Sequence, residues 1–364
     1  QLFLLQWYIL FPLLFSCAPL KSVKESEAKD KAFTEADVKA SQRLVGLNFT
    51  QAEIDTMYNY LLRNRANYDT MRTFALDYNS LPAIQFNPHP TDFRIPLNQK
   101  PITWEIPESV SLPENINDLA FYSVMELAAL VKSKQITSLE LTQFFLARLK
   151  KYDPILKAVI TLTEERAIDR AHQADKEISA GNYRGPLHGI PYGVKDIIAV
   201  KGYKTTWGSE PYKDQVIEET ATVVKKLDDA GAVLVAKLTS GALARGDVWF
   251  GGKTLSPWDT TQGSSGSSAG SASATAAGLV PFALGTETWG SIISPSTRCG
   301  VTGLRPTYGR VSRSGVMALS WSMDKVGPIC RSATDCAVVF ETIRGVDKAD
   351  PMTTEASFNH NWDI

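Results

Sequence analysis

The chain has 364 residues, of which 44% are hydrophobic and 21% charged, and its formal net charge is −1. This composition is typical of a globular protein that can bury a sizeable core in one large domain or two smaller ones. The nearly balanced charge gives no electrostatic reason to expect nucleic acid or an anionic membrane surface as a partner.

The first segment, residues 1–17, is predicted to be an export signal. Residues 2–15 are apolar apart from Gln6, and Ser16 and Cys17 follow. Such a run is short for a transmembrane helix and has the length of a signal-peptide core. A small residue before Cys17 resembles a bacterial lipobox, which predicts lipidation of Cys17 and a protein anchored to the membrane in the cell envelope. A plain cleaved signal or a signal anchor is the alternative. Because no Met and no basic segment precede the apolar run, we expect the sequence to start within a longer one.

Residues 18–117 are predicted to form a tether, N-terminal helices and an extended arm. The tether is the stretch 18–33, which is rich in Lys, Glu and Ser. Thr50 and Glu53 have the spacing of a capping box, and apolar residues follow at helical spacing: Ile54, Met57, Tyr58, Leu61 and Leu62. Prolines recur between residues 81 and 113, which excludes long helices and predicts an arm wrapped over a surface.

From Asp118 onward, helical patterns alternate with short apolar runs. The predicted helices begin at the capping box Ser123–Glu126 and at Ser138, and two more span 163–180 and 219–230. The predicted strands are 190–194 and 232–236. This order predicts an α/β fold in which helices are layered on a largely parallel sheet.

The stretch 263–307 combines crowded serines and glycines with an apolar run, which suggests backbone held close to a reacting group. Gly266–Gly270 matches the G-x-S-x-G pattern, but loop residues precede it and His360 is the only histidine downstream, which disfavours a Ser–His–acid triad. Ser322–Lys325 matches S-x-x-K without its companion motifs and is more typical of a capped surface turn.

Neither a metal nor a cofactor is expected. The histidines have no ligand spacing, and no phosphate-binding glycine loop is present; the histidines are His89, His172, His188 and His360. Cys299, Cys330 and Cys336 are an odd set, which favours buried free thiols over a disulfide framework.

A serine nucleophile without a nearby histidine needs another base, and lysine is the common alternative. Lys195 ends the apolar run 190–194, so we expect burial to lower its pKa, by as much as ~3–5 units. Asp196 is expected to point to the opposite face of the strand and to cap a turn. Taken alone, a lysine at a strand end is more often structural or solvated than catalytic.

Three segments together resemble the amidase signature family: Lys195–Asp196, Gly266–Ala272 and Gly285–Ile292. The match begins near Asp118 and is dense after Lys195. The resemblance implies a central mixed, mostly parallel, twisted sheet covered by helices on both faces. It also implies a serine amidase, a hydrolase of linear amide C–N bonds that uses a Ser–cis-Ser–Lys triad.

The same resemblance assigns the site residues. The glycine- and serine-rich segment aligns at Gly263 or at Gly266, and only the second alignment continues without a gap to Gly285. It makes Ser291 the nucleophile, Ser267 the bridging serine after a cis peptide bond, and Lys195 the base. Ser268 is expected to support the lysine by hydrogen bonding.

The turn before the nucleophile is expected to form the oxyanion hole with its backbone amides, those of Thr288, Trp289, Gly290 and Ser291. Trp289 stands where the family usually has glycine, so its ring is expected to occupy or narrow part of the site. Glu287 and Ile293 stand where Asp and Arg are common, which leaves the substrate open. Family members also continue well beyond the length found here after Ser291, so we expect the C-terminal part of the domain to be missing.

Three functions follow from these patterns. The first is an exported amidase acting on a small-molecule or peptide amide, with no nucleic acid partner. The second is the A subunit of a tRNA-dependent amidotransferase, which residues 307–313 also resemble and which works in the cytosol. The third is a catalytically silent envelope lipoprotein that keeps the fold as a binding module.

Overall fold

A computed structural model of the chain describes residues 33–77, 79–83 and 91–359. Between Leu76 and Asp77 the chain divides into two compact units. The predicted signal, Cys17 and nearly all of the tether lie outside the described residues. Asp118, the predicted start of the amidase domain, lies within the second unit, and that domain boundary remains a prediction. Within the described ranges, no helix combines the length and the apolar character that crossing a membrane requires.

The described part of the first unit, residues 33–76, contains two helices, α1 Glu35–Val45 and α2 Gln51–Met71. The capping box predicted at Thr50 and Glu53 is confirmed: the Thr50 hydroxyl accepts the Glu53 N–H, and the Glu53 carboxylate accepts the Thr50 N–H. Thr34 and Asp37 form an equivalent box at the start of α1, which was not predicted. Each box satisfies amides that the first helical turn leaves without partners.

Of the predicted arm, the structure describes residues 81–83 and 91–113, and these contain neither helix nor strand. Trp104, Ile106 and Val110 are half-buried and pack against the core of the second unit. The arm as a separate segment of the chain remains a prediction.

The second unit alternates helices and strands. Its helices are α3 Val124–Lys132, α4 Ser138–Leu156, α5 Glu164–Ser179, α6 Thr222–Asp229, α7 Ala269–Ala276, α8 Ile293–Cys299 and α9 Ala333–Ile343. Its strands are β1 Val159–Leu162, β2 Pro191–Lys195, β3 Val233–Leu238, β4 Val248–Trp249, β5 Gly252–Lys253, β6 Phe282–Glu287, β7 Thr302–Gly303 and β8 Lys325–Cys330.

Two helix caps are predicted in this unit, at Ser123 and at Ser138, and the second needs a correction. Ser123 and Glu126 form the predicted box at α3. At α4 the cap is Thr137 rather than Ser138, because Thr137 forms the reciprocal pair with Glu140. The Ser138 hydroxyl instead donates to the carbonyl oxygen of Gly189 at 2.8 Å, which ties α4 to the segment before β2.

The central sheet is mixed, with strand order β1-β3-β2-β6-β8-β7. Strand β2 is parallel to β3 and to β6, its neighbours on either side. Among the described residues, the other three strand pairs of this sheet are antiparallel. The predicted central mixed sheet is confirmed, but fewer than half of its described strand pairs are parallel, so it is not mostly parallel. The alternation of helices and strands indicates the helical crossovers that make parallel pairs, but it carries no information on the direction of the outer strands.

Both faces of the sheet are covered. Successive residues of β3 alternate between two cores: Val233 and Val235 face a core that includes residues of α5 and α7, and Leu234 faces one that includes residues of α3, α6 and α9. Because β2, β3 and β6 run parallel, their carboxyl ends share one edge of the sheet. That edge carries Lys195 and Glu287, as expected for a ligand site in such a sheet.

Candidate active site

Lys195 is the last residue of β2, and its side chain is completely buried. Its Nζ donates to Ser267 Oγ at 2.7 Å and to Thr286 Oγ1 at 2.8 Å, with the Thr286 carbonyl oxygen at 3.4 Å. These partners are neutral oxygens. Lys195 is therefore held in place by groups that do not require it to be charged.

Burial lowers the pKa of Lys195 to about 7, while the negative charges of Asp324 and Glu287 oppose this fall. Removing an amine from water penalises its ammonium form, and no bonded carboxylate offsets that penalty here. A large fraction of Lys195 is consequently neutral near neutral pH, which is the state that a general base requires.

Ser267 precedes α7, and the peptide bond between Gly266 and Ser267 is cis, as the resemblance implies. A Cβ on Gly266 would lie 1.9 Å from the carbonyl oxygen of Gly246, so only glycine fits this close approach of two backbones. The upstream Ser264 hydroxyl donates to the Ser265 carbonyl oxygen instead of approaching Lys195. The geometry therefore agrees with the alignment that starts at Gly266.

Ser268 does not contact Lys195 in the way that was expected. Its hydroxyl donates to the carbonyl oxygen of Thr286 and accepts the Thr286 N–H, both at 3.1 Å. Ser268 immediately precedes α7, and its side chain turns towards the backbone of β6. Its support of Lys195 is thus indirect and passes through Thr286.

Ser291 lies in the turn after β6, where it is half-buried. It lines the same pocket as Ser267 and Thr286, and its carbonyl oxygen accepts the N–H of Ser268 at 3.1 Å. The structure thus brings Ser267 and Ser291 to one pocket, and Lys195 reaches it through its hydrogen bond to Ser267 without lining it. The pocket lining also includes Thr288, Arg313, Asp324 and Lys325, together with apolar residues such as Ile197 and Met317.

The predicted oxyanion turn is organised by the carboxylate of Glu287, which is itself buried. One carboxylate oxygen accepts the N–H groups of Ile292 at 2.8 Å and Ile293 at 3.0 Å. Burial alone would raise the pKa of Glu287, but these bonds and an interaction with the Gly290 N–H lower it. The role of the turn remains a prediction.

Trp289 was expected to narrow the site, and this expectation is wrong for the described structure. Its side chain is 90% exposed and is not part of the pocket lining. Gly290 follows with φ +87°, a left-handed conformation that glycine adopts without strain. The turn directs the indole outwards.

Two residues at the site were missed from the sequence. Thr286 contacts Lys195 directly, and its place on β6, two strand positions before the predicted oxyanion turn, was the available signal. Asp324 accepts the hydroxyl of Thr288 and the N–H groups of Leu319 at 2.7 Å and Ser320 at 3.0 Å. The prediction of a capped turn at Ser322–Lys325 is correct, but its position beside the pocket was not foreseen.

Asp196 points away from Lys195, as expected, but its partners are not those of a simple turn cap. It forms an ion pair with Lys237 of β3 at 2.9 Å, and both side chains are completely buried. Its other carboxylate oxygen accepts the N–H of Thr206 at 2.8 Å. The charge of Asp196 is thereby neutralised on the opposite side of the strand from the pocket.

The remaining candidates take no part in this site. Cys299, Cys330 and Cys336 are free and buried, as predicted. In the ranges that the structure describes, no group of three or more His, Cys, Asp or Glu side chains is arranged to hold a metal ion.

Comparisons with known proteins agree with this geometry. The family model described as Amidase matches residues 140–362. The chain is 44% identical over 231 residues to the A subunit of the glutamyl-tRNA(Gln) amidotransferase of Methylococcus capsulatus, covering 63% of this chain and 47% of that protein. The chain thus spans about half the length of the curated relatives it matches.

Solved structures give the same result. The native peptide amidase from Stenotrophomonas maltophilia is similar with a TM-score of 0.61 and 40% identity, over 64% of this chain and 49% of that one. The A subunit of the glutamyl-tRNA(Gln) amidotransferase of Thermotoga maritima is similar with a TM-score of 0.56 and 34% identity, over 65% of this chain and 50% of that one. This chain belongs to the amidase family.

Proposed function

We propose that this protein hydrolyses the C–N bond of a carboxamide through an acyl enzyme on Ser291. The observation that carries the proposal is the contact between buried Lys195 and Ser267, at 2.7 Å, in the pocket that Ser291 also lines. A lysine without an acidic partner and with a pKa of about 7 can accept a proton at neutral pH.

The reaction uses the three side chains in sequence. Ser291 Oγ attacks the amide carbon while its proton passes to Ser267, whose own proton moves to Lys195 Nζ. Lys195 then returns the proton through Ser267 to the leaving nitrogen as the C–N bond breaks, which releases the amine and leaves an ester on Ser291. Water attacks this ester by the same relay and releases the carboxylic acid.

The negative charge on the carbonyl oxygen would be stabilised by backbone amides of the Thr288–Ser291 turn. Loss of one such donor costs about 2.7–4 kcal/mol in a serine protease. The candidates for this role are the amides of Thr288, Trp289, Gly290 and Ser291.

A second candidate is the A subunit of an amidotransferase, because relatives at 44% identity carry that name. The same serine chemistry would then release nitrogen for transfer to an acceptor within an assembly. Hydrolysis of peptide or small amides by the purified chain favours the first candidate, whereas activity that requires partner proteins favours the second. A catalytically silent binding protein would not need the Lys195–Ser267 contact.

A fluorophosphonate probe tests the proposal, because it reacts with activated serines. We expect one adduct by intact mass, mapped to Ser291 and absent in Ser291→Ala. Ser265→Ala is the matched control, since Ser265 belongs to the same serine-rich segment and contacts Ser294 rather than the lysine. Labelling at Ser268 instead, or no labelling of the folded chain, contradicts the proposal.

We also propose that the protein is exported and anchored by lipid at Cys17, on the sequence pattern alone. Treatment of expressing cells with globomycin should then cause the unprocessed form to accumulate. Unchanged processing would exclude the lipid anchor without affecting the proposed chemistry.

A further inference from the structure

The turn that carries Ser291 begins at Thr288, and two consecutive residues hold Thr288 from outside the turn. Asp324 Oδ1 accepts the Thr288 hydroxyl, and Lys325 Nζ donates to the Thr288 carbonyl oxygen at 3.1 Å. Lys325 begins β8 and lies opposite Glu287 in the antiparallel pair with β6. The holding groups therefore come from the strand next to the one that delivers the turn.

Asp324 is itself fixed by its own loop. Its second carboxylate oxygen accepts the N–H groups of Leu319 and Ser320, and its N–H donates to the Ser320 carbonyl oxygen at 3.1 Å. Hydrogen bonds to an ionised carboxylate are roughly twice as strong as those between neutral groups. Asp324 thus joins the 319–324 loop to the turn through one rigid group.

The loop has a second anchorage on its other side. The Trp321 carbonyl oxygen accepts the Tyr308 hydroxyl and Arg313 Nη1, each at 2.6 Å. Arg313 forms a buried ion pair with Asp350 at 2.8 Å. A continuous set of bonds therefore runs from this ion pair, through the loop, to Thr288.

We propose that Asp324 and Lys325 are positioning residues that hold Thr288, and through it the Thr288–Ser291 turn, in the geometry that the amidase reaction requires. The inference rests on the proposed function. It assigns a role to the S-x-x-K match at Ser322–Lys325: the segment does not supply a nucleophile and base, but it braces the turn that does supply the nucleophile. A displacement of about 1 Å at such a turn can cost about 100-fold in rate.

Asp324 lines the same pocket as Ser267 and Thr286, the two partners of Lys195, so its charge is expected to act on the lysine. The other charged groups around this pocket are Lys325, Arg313, which is paired with Asp350, and Glu287 of β6, which is paired with Arg305. The Asp196–Lys237 ion pair is on the opposite side of β2. Asp324 is the larger of the two charge effects that raise the pKa of Lys195 against burial. Removing its charge should therefore lower that pKa, whereas removing the Thr288 hydroxyl should not move it.

The test compares Thr288→Val, Thr288→Ser and Asp324→Asn in the full chain, with Ser322→Ala as a control in the same loop. The rate of Ser291 labelling by the fluorophosphonate should fall about 10- to 100-fold in Thr288→Val, and Thr288→Ser should restore it to within about threefold because it keeps the hydroxyl. When the substrate is an amide that the protein hydrolyses, Thr288→Val should lower kcat and leave KM unchanged. Ser322→Ala should label at the parent rate.

The pH dependence separates the two effects of Asp324. The midpoint of the labelling rate should move to lower pH in Asp324→Asn and stay in place in Thr288→Val. Equal labelling rates in Thr288→Val and Thr288→Ser would overturn the bracing role. An unchanged midpoint in Asp324→Asn would overturn the charge effect. If Asp324→Asn does not fold, Lys325→Met tests the bracing instead, because it removes the other contact to Thr288. It should slow the labelling of Ser291 and leave the KM for a hydrolysed amide unchanged.

Hydrogen exchange gives an answer that does not depend on activity. Amides in the peptide covering 288–293 should exchange faster in Thr288→Val than in Thr288→Ser or in Ser322→Ala. Similar exchange in all of them would overturn the bracing role even in a chain that reacts with no probe. If the parent chain does not react with the probe but the variants show this exchange pattern, the proposed function is contradicted and the bracing role still holds.

Discussion

Two lysines lie near the ends of neighbouring strands, completely buried, yet their surroundings differ. Lys195 ends β2 and contacts only hydroxyl and carbonyl oxygens of Ser267 and Thr286. Lys237, on β3, is paired in register with Val194, so it points to the other side of the sheet. There it meets the carboxylate of Asp196 at 2.9 Å and bonds the carbonyl oxygen of Lys204 at 2.6 Å.

The difference shows that burial alone does not make a lysine a base. Burial lowers the pKa of both amines, and the difference lies in the bonded partner: Lys237 has the Asp196 carboxylate at 2.9 Å, whereas Lys195 is bonded to neutral oxygens. Lys237 is therefore expected to be a structural cation, and Lys195 a proton acceptor. Successive side chains of a strand point to opposite faces of the sheet, so Asp196 points away from Lys195. One sheet can therefore hold both the lysine base and the ion-paired lysine.

Replacing the two lysines should have opposite consequences, and the largest expected effect is on Lys195. Lys195→Ala should reduce the rate of Ser291 labelling by roughly 10²–10⁴-fold, the usual contribution of a general base. The cavity and the hydrogen bonds lost at Ser267 and Thr286 should lower thermal stability, but no buried charge loses its partner. A fall in melting temperature together with an unchanged labelling rate would mean that Lys195 is structural after all.

Lys237→Met should instead act on folding. It leaves Asp196 buried without a counter-charge, which should lower the free energy of unfolding by about 3–5 kcal/mol. The double variant Lys237→Met/Asp196→Asn should recover most of this loss in urea denaturation. Failure of the second substitution to restore stability would show that the ion pair is not the source of the effect.

The pH dependence of labelling should report Lys195 and not Lys237. Because the neutral amine is the active form, the rate should rise with pH, reach half its maximum near the pKa of about 7 and then level off. Below that point it should fall about tenfold per pH unit. A rate that is independent of pH between 5 and 9 would argue against a lysine base.

The smallest effects should come from the hydroxyls around each amine. Thr286→Val removes one hydrogen bond of Lys195 and should slow labelling by roughly two- to tenfold. Thr205→Val removes a bond that Lys237 donates and should lower stability by about 1 kcal/mol with no change in rate. If Thr286→Val lowered only the stability and Thr205→Val slowed only the labelling, the roles assigned to the two lysines would be wrong.

The sequence predicted those parts of the fold that depend on neighbouring residues. The capping boxes at Thr50 and Ser123 are local patterns, and both are present. The strand predicted at 232–236 is found at Val233–Leu238, because short buried strands read as continuous apolar runs. The direction of β1 and β8 depends on partners distant in sequence, and no local pattern encodes it.

The residues of the site, too, could be predicted from local patterns only in part. Lys195 and Ser267 are 72 positions apart, so only the family resemblance could bring them together in advance. Thr286 and Asp324 were missed because their roles depend on which strands are adjacent. The outward direction of Trp289 was missed because a side chain in a turn is oriented by backbone angles, such as those of Gly290, and not by its size.

The exposed indole of Trp289 makes the turn observable by fluorescence. It is two residues from Ser291 and 90% exposed, so iodide or acrylamide should quench it readily. The chain has eight tryptophans, and the difference between parent and Trp289→Phe isolates this one signal. Because the ring belongs to the turn that carries Ser291 but not to the pocket lining, a movement of the turn on acylation should change its quenching, and the turn can be followed in real time without a labelled substrate.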